Sequence, residues 1–163
     1  MGGRVGLALD QRQQRRGLWR RHFAARWKGG RILNRAELTE RTVARYAGRK
    51  FSWARGVTCL HALHSHLVTM GHTPPDLPRL QGPLDARRAL RAHGWGNTED
   101  MLAEMLPRIP YASARVGDVA VLESADGMGA IVICAGAKWF GWHDDADGFV
   151  PLVPLDIRSA YRV

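Results

Sequence analysis

Cysteine is scarce in this sequence. The 163 residues hold two, Cys59 and Cys134, too few for a disulfide scaffold, and no CxxC pair suggests zinc. Such usage fits a chain made in a reducing cytosol. Long apolar runs are missing as well. None reaches the ~18–20 residues that a membrane-spanning helix needs. The N-terminal charges are not followed by the apolar stretch of a secretory signal. Acidic residues are almost absent from one region. Residues 1–32 carry nine Lys or Arg and one acid, Asp10, giving +8, while residues 33–163 carry 15 basic and 14 acidic residues, giving +1. The net charge of +9 therefore belongs to an N-terminal arm, and the rest is nearly neutral. At 45% hydrophobic and 24% charged, the chain has the composition and length of one globular domain with a real core.

The arm spans residues 1–33. Within it Trp19, Phe23 and Trp27 recur every four residues among Arg15, Arg16, Arg20, Arg21 and Arg26. That spacing puts the aromatics on one face of a helix, which Gly29-Gly30 breaks. A solvated basic tail and an arm that docks on an acidic or apolar surface both fit this pattern. Residues 34–163 form the domain.

The domain is expected to be α+β, with N-terminal helices followed by a small antiparallel sheet. Asn34 with Glu37 makes a capping box for a helix over 34–48, with Leu38, Val43 and Tyr46 on its buried side. Thr58 caps a second helix from Cys59 to Met70, whose Leu60, Leu63, Leu67 and Met70 form one apolar stripe. Pro74, Pro75, Pro78 and Pro83 mark a surface loop. Short helices follow from Leu84 to His93 and from Thr98 to Leu106. Strands are expected at Val116–Leu122, Ala130–Ala135, Ala137–Trp142 and Phe149–Leu155. Turn signals at Asp126-Gly127, Gly136 and Asp147-Gly148 separate the four.

Cys59 is the candidate for chemistry. It opens a helix, where unpaired N–H groups and the helix dipole favour a thiolate. A nucleophilic cysteine also needs a base, normally a histidine within hydrogen-bond reach. A small buried hydrophobe is the plainer role for a lone cysteine. Phe51-Ser52-Trp53, then Cys59, then Val116-Gly117-Asp118-Val119-Ala120, then Ile133-Cys134-Ala135-Gly136 occur in the order of the NlpC-type branch of papain-like cysteine peptidases. The sequence resembles in particular small NlpC-like proteins of phage and prophage tail tips, which share the ending Gly148-Phe149-Val150-Pro151-Leu152 and Ala160-Tyr161-Arg162-Val163.

The resemblance implies an NlpC/papain-like fold with Cys59 as nucleophile. The residue before it is Thr58 in place of the family's Asp. The catalytic histidine falls at Gly129 or Ala130, neither of which can take a proton, and the third polar member falls near Trp142-His143. It thus implies a peptidase fold that has lost its base, serving as a structural protein of a bacteriophage tail tip or baseplate. Such a protein is made in the bacterial cytoplasm, carried in the virion, held to hub proteins by the arm and engaged with the cell envelope, without a cofactor.

Two other functions compete. One is an active peptidase or amidase on peptidoglycan, with His143 replacing the missing base. His61, His64 and His66 share the Cys59 helix and are badly placed to face its sulfur. The other is nucleic-acid binding through the arm, whose arginines and tryptophans suit phosphates and bases. Against it, no nucleic-acid motif is present and the domain is neutral. The same arm could also lie on a membrane surface or in a groove of a neighbouring subunit. Metal binding is not expected. The histidines lack HExxH spacing, and Asp144, Asp145 and Asp147 lack the full calcium-loop pattern.

Overall fold

The computed structural model describes residues 33–163. The arm lies outside them, with Arg15, Arg16, Trp19, Arg20, Phe23 and Trp27. Helix α1, Arg35–Tyr46, opens on the expected capping box. The Asn34 side chain accepts the Glu37 N–H at 3.0 Å, and the Glu37 carboxylate accepts the Asn34 N–H at 2.9 Å. Two of the three residues assigned to its buried side are only half-buried, Leu38 and Val43. Thr39 and Thr42 are buried instead. Each donates its hydroxyl to a carbonyl one turn back, Arg35 O at 2.7 Å and Leu38 O at 3.5 Å, so these polar groups enter the interior with a partner. The helix stops two residues before Gly48. Ala47 bridges to Phe149, and Gly48 donates its N–H to the Phe149 carbonyl.

Helix α2, Cys59–Thr69, is capped by Thr58, whose hydroxyl accepts the His61 N–H. Leu60, Leu63 and Leu67 form its buried stripe, and Met70 is half-buried just past its end. Helix α3 is Pro83–Ala92, with proline in its first turn, where a missing N–H costs nothing. Helix α4 is Thr98–Met105, capped by Asn97.

Six strands follow: β1 Arg108–Ile109, β2 Val119–Leu122, β3 Ala130–Cys134, β4 Trp139–Gly141, β5 Val150–Leu152 and β6 Ile157–Tyr161. They form one antiparallel sheet in the order β1-β6-β2-β3-β4-β5. The fold is α+β, helices first and sheet afterwards. The strands are shorter than expected. Val116 to Asp118 form a turn, in which Asp118 donates its N–H to the Arg115 carbonyl and Gly117 its own to Cys134. The run beginning at Ala137 yields only Trp139–Gly141, and the run to Leu155 ends at Leu152. Two strands were not anticipated, β1 and β6, and β6 is central, between β1 and β2.

Side-chain alternation divides the sheet between two cores. Val119, Val121, Ile131 and Ile133 pack with Leu60, Leu63 and Leu67 of α2. Ala120, Val132, Cys134, Trp139 and Ala160 form a second cluster on the other face. The Cys59 end of α2 thereby comes against the head of β3.

Candidate functional site: the Cys59 helix and the head of β3

Cys59 is half-buried and free of any disulfide. The residue before it, Thr58, is fully buried and uses its hydroxyl locally. It accepts the His61 N–H and lies 2.8 Å from His61 Nδ1.

A helix start by itself lowers a thiol pKa. The structure reverses this. Burial pushes the Cys59 thiol above its usual value, while backbone groups of Ile131, Leu60 and Cys59 itself pull the other way, and Asp126 adds to the rise. Desolvation outweighs the helix terminus, because packing against β3 removes the water that would stabilise the thiolate.

The Ile131 backbone is among the groups acting on the sulfur, which sets the cysteine against β3, the strand at whose head the resemblance would put a histidine. No imidazole is there. Gly129 is in the left-handed region at φ +86, and a Cβ on it would lie 2.3 Å from Val121 Cγ1 and 3.1 Å from Thr98 Oγ1. A side chain there would have to displace that of Val121. The turn before it is fixed by its own hydrogen bonds, Met128 N–H to Asp126 and Gly129 N–H to Ser124. Asp126 is thus the ionised group that acts on the thiol, and it acts against the thiolate.

The other histidines point elsewhere. His143 is exposed in the β4–β5 turn, where its Nδ1 accepts the Asp145 N–H at 3.1 Å and stands 3.6 Å from the Asp145 carboxylate. Its contacts are within its own turn. His66 is fully buried between Thr42 Oγ1 at 3.1 Å and the Gly117 carbonyl at 2.8 Å. His61 and His64 line a groove between α1 and α2. Among the described residues no cluster of three or more His, Cys, Asp or Glu is placed to hold a metal. No described helix is long and apolar enough to cross a membrane.

Sequence reasoning missed an aromatic wall. Phe51 meets Trp53 and Trp142 edge-on, at 5.5 and 5.8 Å between centroids, and Trp142 packs on Phe149 at 4.7 Å. Trp142 also donates its indole N–H to the Arg49 carbonyl. The signal was present as two aromatic-rich segments, 51–53 and 139–142. Only the pairing of residues 47–49 with Phe149 joins them.

Over residues 30–163 the chain matches a family described as a domain of unknown function (DUF6950). No curated protein matches it.

Proposed function

We propose, for a chain that belongs to this DUF6950 family, that it is a structural component of a bacteriophage tail tip. The domain would be a degenerate NlpC-like peptidase fold that assembles with hub proteins and engages the host envelope without hydrolysing it. One observation carries the non-catalytic part. Burial drives the Cys59 thiol toward the neutral form, and the positions where the resemblance would put a base are Gly129 and Ala130. The tail location is supported by the order of motifs, from Phe51-Ser52-Trp53 through Cys59 to Ala160-Tyr161-Arg162-Val163. The localisation follows from it: synthesis in the host cytoplasm and residence in the virion.

An active peptidase using His143 finds no support in the contacts of that ring, which are with Asp145. Nucleic-acid binding rests on the arm, outside the described residues.

Three measurements test the reading. Purified protein should leave peptidoglycan stem peptides intact, and in a Cys134→Ser background Cys59 should alkylate more slowly at pH 8 than free cysteine. Losing a positioned base removes roughly 10²–10⁴-fold in rate, so cleavage that disappears in Cys59→Ser makes the protein an enzyme instead. Mass spectrometry of purified virions should find the chain at a constant ratio to the tail proteins. Its absence from particles overturns the structural role.

A further inference from the structure

A groove of about 570 Å³ runs between α1, α2 and the loop around Asp76. Three nitrogen-bearing side chains line it: Arg45 at the end of α1, and His61 and His64 on α2. One carboxylate faces them, Asp76. The Cys59 cleft uses neither Arg45 nor His64.

Two observations single the groove out. Arg45 makes no ion pair with any described residue, and its Nη1 donates to Ser65 Oγ at 2.8 Å. The guanidinium is therefore held toward α2 by a neutral hydroxyl, which leaves its charge unmatched. The second is His64. Its Nε2 is buried and has no hydrogen-bond partner among the described residues. A buried polar atom without a partner costs about 1–3 kcal/mol, and such atoms are rare in folded proteins.

An oxyanion answers both at once. It offers acceptors to a guanidinium fork and to an imidazole N–H together, the pairing in which charge-assisted bonds are strongest. We propose that this groove binds a phosphate or carboxylate group of a small molecule, held by Arg45 and His64, with Ser65 positioning the guanidinium. Val68, 52% exposed, and Leu77 supply an apolar wall for the rest of the ligand. Asp76, on the same groove, accepts from a hydroxyl or amine on the same molecule.

The test uses the full chain at constant ionic strength, with inorganic phosphate and acetate titrated separately. Imidazole resonances of His61 and His64, assigned with His64→Gln, give a site-specific signal that the arginine-rich arm does not produce. The expected result is a saturable shift of the His64 resonance with at least one probe. Affinity should fall about tenfold in Arg45→Gln, recover partly in Arg45→Lys, and stay unchanged in Arg41→Gln on the same helix. Saturation by phosphate alone assigns a phosphorylated ligand, and saturation by acetate alone a carboxylated one. Absence of saturation with both probes overturns the site. So does equal weakening by Arg41→Gln and Arg45→Gln, which marks diffuse ionic attraction.

Discussion

Burial decides what each histidine does, and His66 shows it most fully. Its ring is sealed from solvent, Nε2–H donating to the Gly117 carbonyl and Nδ1 facing the Thr42 hydroxyl. Desolvation lowers its pKa from 6.5 to about 4, against the opposing pull of the Gly117 carbonyl. The unfolded chain therefore takes up the proton first as pH falls. This contribution to stability is complete above about pH 6.5 and is lost as pH falls toward 4, at about 1.4 kcal/mol per unit, or about 3 kcal/mol in all. Burial also lowers the pKa of His61 and His72, which add in the same direction. Urea unfolding between pH 7 and 4 should show a falling midpoint. His66→Gln, which keeps a donor for Gly117 without titrating, should flatten much of that fall. An unchanged pH slope in His66→Gln would refute the assignment. In the sequence, His66 stood as one of three similar histidines on α2. Its place three residues after Leu63, on the core stripe, was the available clue that it is structural.

Among the elements, turns were the most legible and distant pairings the least. Asp126-Gly127 and Asp147-Gly148 were readable because left-handed backbone favours glycine. Both glycines do have positive φ, at +72 and +111. They differ in surroundings, which no local pattern records. A Cβ on Gly127 meets nothing within 4 Å, whereas one on Gly148 would stand 2.8 Å from the Gly48 carbonyl carbon and oxygen. There the end of α1 crosses the start of β5, and Phe149 N–H donates to the Arg49 carbonyl. Gly127→Ala should cost about 1 kcal/mol, the penalty for left-handed backbone. Gly148→Ala should cost roughly 3 kcal/mol, because rigid backbone must also move. Urea midpoints of the two variants measure the difference, and equal losses would mean that the crossing yields easily. The same nonlocality hid β6. Ile157–Tyr161 pairs with Arg108–Ile109 and Val119–Leu122, and a short polar-apolar run gives no hint of partners so distant. It also explains why α1 stops early, since Ala47 and Gly48 are claimed by Phe149.

At the scale of the whole described domain, the candidate site was half legible. Cys59 at a helix start could be read directly, while the absence of a base at Gly129 or Ala130 was an expectation drawn from the resemblance. The raised thiol pKa could not be read, since it depends on how tightly α2 packs against β3. What holds helices and sheet in that relation is in part a buried charge. Asp118 is fully buried at the entry to β2. Its Oδ1 accepts from Arg35 at 2.9 Å and from the Val163 N–H at 3.2 Å. Its Oδ2 accepts the Arg115 N–H at 2.8 Å and stands 3.3 Å from the Arg162 guanidinium. Arg35, the first residue of α1, also donates to the Val116 carbonyl at 3.0 Å and to the Val163 carbonyl. One carboxylate thus joins the start of α1, the lead into β2 and the residues after β6. Removing one partner of a buried pair costs about 3–5 kcal/mol, mostly because the remaining charge is left unmatched. The Arg35 and Arg162 side chains are 42% and 30% exposed, so water recovers part of that loss. Asp118→Asn should therefore destabilise the domain by roughly 3 kcal/mol, near the lower end of the range. Asp145→Asn, at a side chain 92% exposed, should change stability by less than about 0.5 kcal/mol. Combining Asp118→Asn with Arg35→Gln should cost clearly less than the sum of the two single changes, because both remove the same contact. Chemical denaturation of the single and double variants decides the matter. Additive losses, or an Asp118→Asn protein as stable as Asp145→Asn, would show that apolar packing alone orders the helices on the sheet.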